Sequence, residues 1–387
     1  MRPPAGAPMI AKSSVLSALW TFPSILLSSF FIAWGAEAGQ FLISQGLALA
    51  ILAWLQTLPE FAVEAVIAWN AGKDPSQTHL AIANFTGSLR LLVGLGWPMI
   101  YFVAAAFRRR LLAVKLDDEH SVEVFGLLLP IAYFTFIWWK GSLTVWDAIP
   151  LTATYVLYLW ILWKIPPRKE DQESLDDLGA VPRRVMALSP GTRNWAILVL
   201  FLAGGVLLYF SAHPFLESML ALSASLGVST FVFVQWVAPF LSEFPEKLSA
   251  FYWARKVRTA NVALMNMVSS NINQWSILSA LIPIVLVISA GELRPLAFDA
   301  HQREEILLTI LQSFLGFLLL VNMELRFHEA LILFVFWFAQ FVMPSWRHVM
   351  IYVYLGWCIV ELVRMIAARS APAAWTALRT TLRQRFA

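Results

Sequence analysis

One cysteine, six histidines and a low density of charge leave most site chemistries without their residues. Cys358 stands alone in an apolar segment, so neither a disulfide framework nor a thiolate metal centre is available. The histidines, at 79, 120, 213, 301, 328 and 348, are scattered and fall mostly at loops, with no helical His-Glu-x-x-His spacing for zinc. No glycine-rich loop opens a helix in the phosphate-binding pattern, so drive by ATP is not expected, nor an enzyme, nor a cofactor. Charged residues make up 13% of the chain, and its net charge of +4 comes from basic residues flanking apolar stretches, which gives no footing for a nucleic-acid partner.

Apolar residues are abundant. At 59% hydrophobic, with a mean hydropathy of +0.69, the chain is too apolar for a soluble globule and reads as an all-α polytopic membrane protein whose first partner is the lipid bilayer. Eighteen tryptophans suit interfacial belts. Eleven apolar spans are long enough, or nearly so, to cross a bilayer: 15–38, 43–70, 79–107, 122–139, 143–164, 194–216, 222–253, 260–290, 304–323, 327–343 and 346–367. The tenth is short enough to be re-entrant. The apolar stretch from Val15 runs on without a small-residue cleavage site, so no cleaved signal peptide is expected.

The loops after spans three, five, seven and nine, with the C-terminal tail, hold nineteen of the 28 Lys and Arg residues, whereas the opposite side holds seven. The positive-inside rule therefore predicts an N-terminus outside and a C-terminus in the cytoplasm, in a bacterial-type inner membrane. The one long hydrophilic loop divides the chain into a first repeat at 1–165, a solvated cytoplasmic linker at 166–193, a second repeat at 194–343, and an extra span with a basic tail at 344–387.

Two tetrapeptides organise these halves, Thr57-Leu58-Pro59-Glu60 and Glu243-Phe244-Pro245-Glu246. Each sets a proline and a carboxylate inside an apolar run. Proline removes its own N–H and crowds the carbonyl four residues back, here Leu55 and Leu241, so each run should open there. A carboxylate at the bilayer centre costs about 2.5–3.5 kcal/mol on insertion scales, so Glu60 and Glu246 need partners, protons or an ion. They lie on spans two and seven, which cross in opposite directions, and inverted repeats follow. Downstream, Asn84 and Ser88 in one half and Asn266 and Ser270 in the other share a helical face at four-residue spacing. Secondary transporters built from inverted repeats bring their broken helices together at the midplane and bind substrate there.

Leu-Gly-Val-Ser from Leu226, then Ser-x-x-Pro-Glu ending at Glu246 and Asn-x-x-Ser-Ser-Asn from Asn266 to Asn271, resembles the second α-repeat of the cation/calcium antiporter superfamily, nearest its sodium/calcium exchanger branch. Thr57–Glu60 with Asn84–Ser88 is similar to the first repeat, and Gly35-Ala36-Glu37 to a small-small-acidic turn in the family's first helix. The resemblance implies two inverted five-helix repeats, here with one extra C-terminal span, exchanging Ca²⁺ for Na⁺ or H⁺. By position it puts the ion-binding carboxylates on Glu60 and Glu246. Neighbouring hydroxyl and carbonyl positions fall on Ala53, Gln56, Thr57, Pro239, Ser242 and Glu243, and on Ser88, Leu92, Ser270 and Gln274 of the following helices.

The chain departs from that pattern in ways that bear on the ion. Gln56 and Glu243 replace hydroxyls, and Leu92 replaces a polar ligand. Glu60, Glu246, Glu243, Thr57, Ser242, Ser88, Ser270, Gln274 and the two opened carbonyls still offer enough oxygens for one Ca²⁺, which takes about six to eight. Fewer remain for several Na⁺ ions. Arg90 is expected either to pair with Glu60 or Glu64 or to snorkel, and Glu64, one turn beyond Glu60, either meets it or faces water. Lys247 points about 100° away from Glu246, toward the surface or another acid. Glu243 and Glu246, three apart, should not both stay ionised without a cation nearby, which favours proton release when one binds. Glu37 and Glu217 are candidates for a vestibule at the outer ends of spans one and six. The expected function is thus a secondary antiporter of Ca²⁺, or another divalent cation, against Na⁺ or H⁺ by alternating access. The alternative is a non-transporting or regulatory protein on the same scaffold, its pocket plugged by Arg90.

Overall fold

The computed structural model describes residues 7–39, 41, 54–55, 57–108, 112–164, 178–367 and 371–386, with side chains from 15 to 383. Ala53, Gln56, most of the first half of span two, and linker residues 166–177 lie outside the described residues. The first half holds α1 (Ala7–Gly39), α2 (Leu58–Lys73), α3 (Thr78–Leu91), α4 (Trp97–Phe107), α5 (Ser121–Lys140) and α6 (Ala148–Lys164). A short α7 (Ala180–Met186) leads into α8 (Pro190–Leu226), α9 (Thr230–Ser242), α10 (Phe244–Arg255), α11 (Ala260–Asn273), α12 (Ser279–Ala290), α13 (Ala300–Leu320) and α14 (Phe327–Val342). The chain ends with α15 (Arg347–Ala367) and α16 (Ala373–Phe386). This is an all-α polytopic membrane fold of two inverted five-helix repeats with one added C-terminal span.

Each half contains a helix start or break at its Pro-Glu motif and a wide turn in the following span. In the second half, α9 stops at Ser242 and α10 starts at Phe244, with Glu243 alone between them at φ −96 and ψ 1. In the first half, α2 begins at Leu58 with Pro59 in its first turn, where a missing N–H costs nothing. The wide turns are π-helical and stand at matching places, Leu92–Gly96 between α3 and α4 and Gln274–Leu278 between α11 and α12. Each opens four residues after the motif serine, Ser88 or Ser270, and such bulges are frequent at functional sites.

Four short strands report which loops share an end of the molecule. β1 (Ala113–Lys115) pairs antiparallel with β4 (Glu324–Arg326), and β2 (Ser142–Leu143) with β3 (Leu296–Ala297). The loop after span three thus meets the loop after span nine, and the loop after span four meets that after span eight, as the parity of the spans requires. Gly141 and Gly291, at φ +80 and +73, end α5 and α12 with the left-handed turn that sends the chain into β2 and toward β3. α14 crosses the molecule and is not re-entrant. It starts beside β4, and its far end leads to Arg347, which pairs with Glu305 near β3.

Packing sorts helices into an inner core and a lipid face. α3 and α11 are buried along almost their whole length. Trp275 sits between Phe85 and Phe134, ring centroids 5.6 and 4.8 Å away, and its indole N–H donates to Ser313 at 3.1 Å. By contrast Leu19, Trp139 and Tyr209 are more than 70% exposed, an apolar surface suited to acyl chains. α1 and α8 run antiparallel at the periphery, Thr21 bonded to Ser218 and a Cβ on Gly204 set to touch Ile32. Glu37 and Glu217 therefore stand at opposite ends of this pair. Glu37 accepts a hydrogen bond from Ser249 at 2.5 Å at the end that carries α7, so the expected shared placement at the outer ends is corrected.

Candidate ion site

The two Pro-Glu motifs meet in one buried network. Glu60, Glu243 and Glu246 are each 1% exposed. The Ser88 hydroxyl contacts both Glu60 Oε1 and Glu243 Oε1. Gln274 Nε2 donates to Glu60 Oε2 at 2.7 Å and to Glu243 Oε1 at 3.1 Å. Thus a serine of the first half and an amide of the second each clamp the same two carboxylates. Glu246 is held separately, its Oε1 accepting from Ser270 at 2.5 Å, and it shares a turn of helix with Glu243.

Thr57 joins from the edge of the network. Its hydroxyl donates to the Trp54 carbonyl at 2.9 Å and accepts from Asn273 Nδ2 at 2.7 Å, which ties the start of α2 to α11. The Ser242 hydroxyl turns back onto its own helix, donating to the Ala238 carbonyl at 3.0 Å, as serines in helix interiors commonly do. Leu92, at the position matching Gln274, is buried and apolar.

The site has more acceptors than donors. Glu246 Oε2, Gln274 Oε1, Asn271 Oδ1 and Asn273 Oδ1 are buried oxygens with no hydrogen-bond partner among the described residues. Buried polar atoms are normally satisfied, so a group of surplus oxygens around three carboxylates is chemistry for a cation or a water-bound cation. Asn271 and Asn273 bring the polar residues between Ser269 and Gln274 to five, interrupted by Ile272 alone. The sequence reading did not select Asn273, although a helix segment polar on every face inside a membrane was the signal for it.

Arg90 and Glu64 do not pair, and the other expectation for Glu64, a place facing water, is corrected as well, because it is fully buried. Glu64 Oε2 accepts from Asn84 at 2.6 Å. Arg90 forms an ion pair with Glu305, donates to Gln340 Oε1 at 3.0 Å and stacks over Trp236 at 5.1 Å. Arg347 also pairs with Glu305, and Gln235 donates to it at 2.9 Å. The expected Arg90 link to Glu60 or Glu64 is therefore corrected: the guanidinium faces α13 and α14, where Glu305, at the start of span nine, satisfies it. Snorkelling is corrected too, because Arg90 is 2% exposed. Breaking a buried pair costs about 3–5 kcal/mol. With Arg347 still on Glu305, Arg90→Ala should destabilise the protein by about 3 kcal/mol, read as a lowered midpoint in thermal unfolding.

Lys247 is the cation the site does contain. It is 5% exposed and its ammonium pairs with Glu243 Oε2, four residues back on the same face, so of the two destinations expected it takes the acid and not the surface. Glu243 thereby has the cation that its closeness to Glu246 called for.

The sodium/calcium exchanger protein family model matches residues 12–164 and 196–346, one stretch in each half. Among solved structures, the crystal structure of an H⁺/Ca²⁺ exchanger, CAX, is 33% identical, with a TM-score of 0.87 over 96% of this chain and 91% of that one. Structures of the sodium-calcium exchanger NCX_Mj share the fold at 15% identity, with TM-scores of 0.55 and 0.56 and 86% of this chain covered. They extend over 99% and 98% of those chains. Comparison with curated proteins returns no match. Paired Pro-Glu breaks, matching π-turns and a shared carboxylate network in two inverted halves thus have their explanation in descent: the chain belongs to the sodium/calcium exchanger family of cation antiporters.

Proposed function

We propose that the protein exchanges one divalent cation, Ca²⁺ first, for H⁺ by alternating access between its two repeats. Glu60 and Glu246 are the principal ligands. Glu243, Ser88, Ser270 and Gln274 complete the shell, and Thr57 and Ser242 hold the helix breaks around it. The observation that carries the reading is the single hydroxyl of Ser88 shared by Glu60 and Glu243. One hydroxyl hydrogen serves one ionised carboxylate, so the second contact asks for a carboxyl proton or a cation between the two. A site that alternates between those occupants exchanges them.

H⁺ is preferred to Na⁺ as counter-ion for two reasons. Leu92 removes an oxygen that further Na⁺ ions would use, and the more similar of the two solved relatives is an H⁺/Ca²⁺ exchanger. The arrangement of basic loops supports an N-terminus outside and a cytoplasmic C-terminus, with 166–193 as linker between the halves. The β1–β4 end, where α16 docks through the Ala374 N–H on the Val321 carbonyl at 3.0 Å, is then cytoplasmic.

Proteoliposomes loaded at acid pH and diluted into alkaline buffer should take up radiolabelled Ca²⁺ many-fold faster than without a pH gradient. An imposed Na⁺ gradient at equal pH should add nothing. Uptake driven by Na⁺ alone would reverse the assignment of the counter-ion, and uptake under neither gradient would remove the proposal.

A further inference from the structure

We propose that Lys247 acts as a built-in monovalent cation of the ion site, setting its charge to suit one divalent ion and no more. The inference rests on the reading of Glu60 and Glu246 as ion carboxylates and adds a residue that determines charge specificity. The ammonium is bonded to Glu243 Oε2, while Glu243 Oε1 faces Ser88 and Gln274, so the lysine and the site share one carboxylate. Lys247 and Glu243 are four apart on α10 and its leading residue, close enough to stay paired as the helix moves.

The pair is present in one repeat and not in the other. Counting from each Pro-Glu motif, the positions of Glu243 and Lys247 are held in the first half by Thr57 and Phe61, a hydroxyl and an aromatic ring. At these positions the second half thus carries one negative and one positive group that the first half does not. With all side chains ionised, Glu60, Glu243 and Glu246 give three negative charges and Lys247 one positive, a balance of two. Of the other charged groups named above, Arg90 and Arg347 pair with Glu305, and Glu64 and Glu37 bond to the neutral Asn84 and Ser249, outside the network that Ser88 and Gln274 clamp. Residues 42–53 and Gln56 contain no ionisable side chain, so they do not alter the count. In a low-dielectric site, a residual charge of two selects a cation of the same magnitude, since a mismatch leaves buried charge uncompensated. A tethered ammonium also fills the place beside Glu243 that a second, mobile cation would otherwise take.

La³⁺ and Ca²⁺ are similar in size and differ in charge, so their affinity ratio reads the charge of the site. Calorimetry on the full chain in detergent would compare the parent with Lys247→Met, Lys247→Arg and Glu246→Gln. We expect Lys247→Met to raise the preference for La³⁺ over Ca²⁺ at least tenfold and Lys247→Arg to keep the parental ratio, a distinction a merely structural lysine would not produce. A Lys247→Met ratio within threefold of the parent overturns the proposal. Should Lys247→Met not fold, Glu243→Gln is compared with Glu243→Gln/Lys247→Met. The single variant leaves a net single negative charge, so the double should bind Ca²⁺ at least tenfold more tightly, and equal affinities overturn the proposal. If the parent binds no Ca²⁺, or Glu246→Gln binds it as the parent does, the ion-site reading fails and takes the proposal with it. Loss in Glu246→Gln with an unmoved ratio in Lys247→Met fails the lysine role alone.

Discussion

Glu246→Gln should lower Ca²⁺ affinity by two to three orders of magnitude and abolish transport driven by a pH gradient. The substitution keeps the shape and the capacity to accept from Ser270, and removes one charge. Leaving a buried charge without its partner costs about 3–5 kcal/mol, which is the stated loss in affinity. Glu246 Oε2 has no hydrogen-bond partner among the described residues, so no local bond compensates when the ion loses that ligand. The opposite sign is expected for stability. Without an ion, three carboxylates crowded into one buried site are a burden, and an amide in place of Glu246 should raise or preserve the unfolding temperature. The decisive measurement is the Ca²⁺-induced rise in unfolding temperature, present in the parent and gone in the variant. A variant that keeps this rise while transporting normally would remove Glu246 from the site.

Gly87→Val should be the most damaging change outside the carboxylates. Gly87 precedes Ser88 on α3 and lies against the backbone of α9 from the opposite repeat. A Cβ there would fall 1.8 Å from the Gln235 carbonyl oxygen and 2.7 Å from its carbon. Backbone cannot step aside as a flexible side chain can, so α3 and α9 must separate. Overpacking costs about 1–3 kcal/mol where side chains can adjust, and here about 3 kcal/mol or more is expected. Function should fail as well, because the separation draws Ser88 away from Glu243 and opens the junction of the two repeats. Thermal unfolding in detergent and Ca²⁺ uptake would both report it. Gly205→Val is the matched control: nothing lies within 4 Å of a Cβ at that position, and neither readout should move.

Both predictions concern a site whose carboxylates, and whose polar partners Ser88, Ser270 and Gln274, could be found along the chain, but whose charged partners could not. The cost of burying Glu60 and Glu246 beside a proline is local, as is the hydropathy that defines the spans, and the odd difference in span number alone required opposite orientation. The break at Glu243 likewise follows from Pro245. Glu305 went unremarked because a carboxylate at the start of a span resembles one at a hydrated helix end until its neighbours are known. Arg90 was sought near Glu60 for its proximity in sequence, and it instead crosses to a helix 215 residues away.

Residue type and spacing along the chain were therefore enough to establish the membrane class, the inverted halves and the two acidic breaks, and the resemblance of the motifs around those breaks pointed to the family. Three dimensions were needed to assign Lys247 to Glu243, Arg90 to Glu305, Asn273 to Thr57, and the two π-turns to matching places. The physical reason is one of range. Hydrophobic burial and proline sterics act on a residue through its own segment, whereas a long charged side chain spans several ångströms and takes whichever partner tertiary packing brings within reach.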